Sequence, residues 1–158
     1  MSQVHNLWKT VTGVPVIGST VGKRVFSIAF SQKAPYFATI HPRVVEIRPN
    51  YAEVRIPKRR SVQNHIGTVH AIALCNGLEM AMGALAEASV PSSKRWIPKG
   101  MEVAYTAKAT SDIVCTAETD QAQWDAAEGD LPVRVKGVRD DGTVVVEGTI
   151  NLWVTSKK

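Results

Sequence analysis

The sequence has little cysteine. Cys75 and Cys115 are its only thiols, and they form no CxxC pair. That removes the zinc-site and dithiol redox signatures, and such thiol usage suits a reducing compartment. The beginning, MSQVHNLWKT, lacks a basic segment followed by an apolar one. It does not read as a secretory signal, so the expected location is cytoplasmic. Eleven glycines and eight prolines are too few for a low-complexity chain. No long stretch is free of polar groups. The most apolar one, residues 69–88, contains His70, Asn76, Glu79 and Glu87, which makes it a poor membrane span. Acids are missing from the first 45 residues, the first being Glu46.

With 158 residues, 44% of them apolar and 21% charged, the chain reads as one folded domain. A domain of that size holds a core without disulfides or metal. The net charge of +5 is unevenly placed. Residues 1–60 carry ten Lys/Arg against two acids, giving +8; residues 61–158 carry nine against twelve, giving −3. A polyanion-binding face and an ordinary solvated surface both fit this asymmetry. No basic helix or aromatic platform accompanies it, so no nucleic-acid partner is expected.

Residues 1–40 read as two or three short helices, one around 4–11 and another around 21–30. His41-Pro42 breaks the pattern. Strands are expected at 44–47 and 51–56, about a turn at Arg48-Pro49-Asn50. Residues 69–88 form a helix about 30 Å long. Its apolar side chains (Ile72, Leu74, Leu78, Met80, Met82, Leu85) make no single stripe, so it is expected to be covered on nearly all sides. Further strands are expected at 101–109, 113–118, 133–138 and 143–154. Residues 119–131 read as an acidic loop, and Asp140-Asp141-Gly142 as a hairpin turn. Alternating βαβ units are absent. The expected class is α+β, an antiparallel sheet wrapped around one central helix.

The chemistry clusters around that helix. Glu79 puts a carboxylate into an apolar helix, where burial would raise its pKa towards the range of a general base. A buried carboxyl satisfied by a neighbour such as Asn76 is the alternative. Glu87, near the helix end, is expected to be solvated. His65 and His70 precede the helix, where free N–H groups can hold an oxyanion. Structural polar residues in a turn are the plainer account of them. His70 and Glu79 lie nine positions apart, half a turn out of phase, and cannot easily meet on one helix.

Asn64, His70-Ala71 and Glu79 resemble the active-site segment of hotdog-fold thioesterases, in the branch around the phenylacetate-degradation and 4-hydroxybenzoyl-CoA thioesterases. That pattern has Asn or Gln six residues before a His-Gly pair and a carboxylate nine residues after the His. The chain looks most like a bacterial hotdog domain of unknown function, with a helical extension (1–40) before the hotdog core (41–158). The resemblance implies hydrolysis of a fatty or aromatic acyl-CoA thioester. Glu79 would be base or nucleophile, and the Ala71 N–H would bind the thioester oxygen. His70 would place that segment, and Asn64 would orient thioester or water. His65, Gly67 and Gly83 would line the substrate site. Arg59 and Arg60, with Arg55 and Lys58, would meet the coenzyme A phosphates. Each site would draw on two subunits, which predicts a homodimer or a dimer of dimers. No cofactor or metal is implied; coenzyme A enters as part of the substrate. The extension would cap the sheet or cover the acyl pocket, with Trp8, Phe26, Phe30 and Tyr36 as lining. Two departures stand out: His70-Ala71-Ile72 replaces the common His-Gly-Gly, and Gly83 stands where the family often has Ser or Thr. They keep open a non-catalytic module that binds acyl-CoA or a partner protein.

Overall fold

The computed structural model of the chain describes residues 3–13, 18–126 and 128–157. Two helices come first, α1 (Gln3–Thr12) and α2 (Gly18–Lys33), followed by a 3-10 segment, Pro35–Ile40. Strands β1 (Arg43–Arg48) and β2 (Tyr51–Ile56) lead through a short turn at Arg60–Val62 to the long helix α3 (Ala71–Ser89). Then come β3 (Lys94–Tyr105), β4 (Ile113–Glu118), a short α4 (Gln121–Ala126), β5 (Gly129–Arg139) and β6 (Val144–Ser156). The six strands form one antiparallel sheet in the order β1-β2-β4-β5-β6-β3.

Helix α3 lies on the sheet with Leu78, Met80, Ala81, Met82, Ala84 and Leu85 almost fully buried. Gly77 allows the approach. A methyl group there would run into Ile56 Cδ1 and sit 2.9 Å from Cys115 Sγ, so only hydrogen fits between helix and sheet. By length and composition α3 could cross a membrane, yet 67% of that window is buried inside the protein.

Within the single chain, α3 is covered along most of its length but not at its start. Ile72 is 56% exposed there, and Ala71, Ala73 and Cys75 are half-buried.

The extension is packed onto the body. The Trp8 and Phe26 rings meet edge to face at 5.0 Å, and Phe26, Phe30 and Phe37 stack in succession. Ser27 Oγ accepts the Val44 N–H at 2.8 Å, tying α2 to β1.

The strand expected at 101–109 instead spans Lys94–Tyr105. It runs through Pro98, which an edge strand such as β3 tolerates, with a register shift between Pro98 and Gly100. After Tyr105 the chain leaves the sheet, and the Ala109 carbonyl accepts the Val69 N–H at 2.9 Å. Nor is 119–131 only a loop. It holds α4, anchored by the fully buried Trp124, whose indole donates to Thr119 Oγ1 at 2.9 Å. It also holds the first residues of β5. Pro132 fits there because β4 pairs only with residues 134–139 of β5.

Candidate active site

The loop before α3 is built around Asn64. Its Oδ1 accepts the N–H groups of Ile66 and Thr68 at 3.2 and 3.1 Å, and its Nδ2 donates to Thr68 Oγ1 at 2.8 Å. The side chain expected to orient a thioester or water therefore shapes this turn, with one Nδ2 hydrogen left over. Gly67 takes a left-handed φ of +75° at the tip, where a side chain would be strained. His65 is exposed on the same turn. The loop is held down where the His70 N–H reaches the Val62 carbonyl at 2.8 Å.

His70 is the N-cap of α3. Its Nδ1 accepts the Ile72 N–H at 3.1 Å, which places the proton of the neutral ring on Nε2. The capping bond satisfies one of the free donors of the first turn. Among the described residues, no hydrogen bond takes the N–H of Ala71. A donor at the positive end of a 19-residue helix is suited to a developing oxyanion. His70 borders a cavity of about 210 Å³ with Tyr36, Thr39, Val62, Ala73 and Asn76.

Glu79 lies on the other side of α3. It is half-buried, with no ion pair or hydrogen bond among the described residues. It lines a different cavity, of about 300 Å³, with Phe30, Lys33, Phe37, Met82 and Trp96. Gly83 and Glu87 share that wall because positions 79, 83 and 87 follow the i, i+4 row of a helix. Glu87 was expected in solvent; the same spacing could have placed it beside Glu79. Trp96, given no role from the sequence, stands over Gly83, 3.7 Å from where a Cβ would be.

Of the aromatic residues expected around an acyl pocket, only Phe30 lines this one. Trp8 and Phe26 are buried behind it, and Tyr36 borders the His70 cavity.

His70 and Glu79 thus do not meet within one chain. They are separated by about 13 Å along the axis and by half a turn, and they open on separate cavities. Beside the exposed start of α3 runs β3. Its Tyr105 hydroxyl contacts Cys75 Sγ at 3.1 Å. That contact, with partial burial, pushes the phenol up to about 12.

The basic residues divide. Arg55 is taken by Asp112 and Asp140, at 3.1 and 2.7 Å, and the Lys58 backbone N–H donates to Asp112 at 2.8 Å. Arg60 is exposed on its turn, whereas Arg59 lines a third cavity.

Residues 22–154 match the family model described as "Domain of unknown function (DUF4442)". The chain belongs to this family. No curated protein matches the sequence. A solved structure similar to this DUF4442 chain, designated genomics APC5556, is 45% identical, has a TM-score of 0.82 and covers 98% of this chain and 99% of its own. The protein PA5026 from Pseudomonas aeruginosa, of unknown function and named a probable thioesterase, is 24% identical with a TM-score of 0.75, covering 81% and 91%. A thioesterase family protein from Silicibacter pomeroyi is 18% identical with a TM-score of 0.69, covering 82% and 96%. At these identities the last two establish the fold. It is the hotdog fold of thioesterase-family structures.

Proposed function

We propose that this protein is a thioester hydrolase acting on acyl-CoA, with each site shared between two copies of the chain. One observation carries the reading. A single helix bears a carboxylate on the wall of an apolar cavity and an N–H at its start, neither with a hydrogen-bond partner among the described residues, and the two cannot face each other within one chain. In a homodimer the Ala71 N–H of one copy meets the Glu79 of the other. The exposed Ile72 and Tyr105 beside the start of α3 then come under cover. The names of the structural neighbours support the same chemistry.

The acyl group enters the Phe30–Phe37–Trp96 cavity. Glu79 removes a proton from water as the oxygen attacks the thioester carbonyl carbon, and the Ala71 N–H binds the oxygen that gains charge. The C–S bond breaks, and the thiolate leaves with the proton. Direct attack by the Glu79 carboxylate, giving a mixed anhydride that water opens, fits the same geometry. The bare Gly83 beside Glu79 supports a second reading, a module that binds acyl-CoA without turnover.

The test is thiol release from a panel of acyl-CoAs. Glu79→Gln should lower kcat by about 10²- to 10⁴-fold. Ala71→Pro deletes the N–H at a helix position that favours proline. The extended His70 (φ −64°, ψ 141°) is already suited to precede one. Sharing predicts that each variant alone is inactive and that mixed dimers recover one working site. Mixtures that stay inactive refute sharing, and a wild-type dimer that hydrolyses no acyl-CoA refutes the enzyme.

A further inference from the structure

The fold gathers part of the basic excess of residues 1–60 into one place. The third cavity, of about 510 Å³, lies between α2 and the start of β1. Arg24 and Ser31 face it from α2, His41 and Arg43 from the chain entering β1, and Arg59 from the turn before α3. No acid lines it. All three arginines are exposed, and none of their guanidinium groups has an ion pair or hydrogen bond among the described residues. Two other guanidinia of residues 1–60 are spent: Arg55 on Asp112 and Asp140, and Arg48 on Glu46 and the Tyr51 ring; Arg60 does not line the groove. His41 is held in the left-handed region, at φ 51°, although it is not glycine and precedes proline. Such strain persists only where the surroundings impose it.

A second observation joins this groove to the His70 cavity. The two are lined by alternating residues of the same segments. Ala38, His41 and Arg59 face the groove; Thr39, Ile40, Ser61 and Val62 face the His70 side. On that side Asn76 is 5% exposed, and its Oδ1 is buried with no hydrogen-bond partner among the described residues. A buried acceptor left unpaired is costly and is suited to an N–H supplied by a ligand.

We infer that the groove of Arg24, Arg43 and Arg59 takes the phosphates of the coenzyme A moiety, and that its amide-bearing arm passes Asn76 on the way to the Ala71 N–H. This deepens the thioesterase reading and rests on it. The phosphates make charge-assisted, bidentate bonds to the guanidinium forks. An amide N–H of the arm donates to Asn76 Oδ1. The helical extension thereby belongs to the substrate site, and Arg55, Lys58 and Arg60 do not.

The test compares acyl-CoA with the matching S-acyl-pantetheine, which has the arm but not the nucleotide phosphates. The intact protein is used, with calorimetric titration of free coenzyme A alongside. Arg24→Ala and Arg59→Ala should each lower the acyl-CoA to acyl-pantetheine ratio of kcat/KM roughly tenfold. Arg59→Glu should lower it further. Lys136→Ala, an exposed cation on β5 outside the groove, should leave the ratio as it is. Asn76→Ser should weaken both substrates, with a stability scan checking that the fold persists. Equal ratios across wild type and arginine variants would overturn the inference while leaving the hydrolase intact. A wild type without turnover that still binds coenzyme A, and loses it in the arginine variants, would uphold the groove and end the hydrolase reading. A single-stranded oligonucleotide that binds the groove in preference to coenzyme A would overturn the inference in favour of a nucleic-acid site.

Discussion

Two glycines on α3 should respond oppositely to the same added methyl group. Replacing a helix-interior glycine by alanine gains about 1 kcal/mol from the backbone alone. At Gly83 the new Cβ would stand 3.7 Å from the Trp96 ring, an ordinary contact, so most of the gain is kept. At Gly77 it would collide with Ile56 Cδ1 and press to 2.9 Å on both Ile56 Cγ1 and Cys115 Sγ. Both neighbours are fully buried and have little room to retreat. Overpacking of this kind costs about 1–3 kcal/mol. With so little room, the upper part of that range applies, leaving Gly77→Ala less stable than wild type by about 1–2 kcal/mol. At about 2–4 °C per kcal/mol for a chain of this size, the two Tm values should fall on either side of wild type. Scanning calorimetry at one fixed protein concentration reads this, because the proposed dimerisation would make Tm concentration-dependent. A Gly77→Ala protein as stable as wild type would mean that α3 does not lie as close to β2 and β4 as described. A destabilised Gly83→Ala protein would mean that the Glu79 cavity has no space beside Trp96.

Asn64→Ala should cost about 1–3 kcal/mol, because it removes the acceptor for two loop N–H groups and the partner of Thr68. Urea unfolding measures that loss, and activity should fall with it because the loop sets the start of α3; full activity and stability would show the Asn64 network to be dispensable. Asp112 gives an acid-sensitive element. Partial burial disfavours its charge, but the Lys58 N–H and the Arg55 guanidinium outweigh this and hold the carboxyl below its usual 3.8. Its contribution is therefore complete at neutral pH and is lost as the pH falls below 3.8 through the lowered value. Asp112→Asn should flatten that limb of a stability–pH curve; an unchanged limb refutes the assignment.

Most of the fold could be read from side-chain periodicity and turn chemistry. Ala52, Val54 and Ile56 alternate inward along β2. Asn50, at φ 66°, and Gly142, at φ 84°, take the left-handed conformation that their turns require. What could not be read depends on neighbours in space. Pro98 and Pro132 break a strand or sit within it according to which side is paired, and sheet order is not written in local pattern. The same limit applied at the site. Spacing singles out Asn64, His70, Ala71 and Glu79 as candidates. That the Asn64 side chain is committed to its own loop could not be read this way, because only the folded turn brings Ile66 and Thr68 onto one oxygen.

The charge map shows why the extension cannot be treated as an appendage to residues 41–158. Helix α2 works on two faces. Phe30 and Lys33 wall the Glu79 cavity, while Arg24 and Ser31, on the adjacent strip, wall the arginine groove. Acids near either strip would pair with the guanidinia and neutralise the groove, as Asp112 and Asp140 neutralise Arg55. Before Glu46 the sequence holds no acid that could pair with Arg24 or Arg43 from their own segments. If the arginine groove holds the phosphates and the Glu79 cavity the acyl group, one helix borders both ends of the substrate and sets how far they can lie apart. A change of α2 position would then be felt at both ends at once.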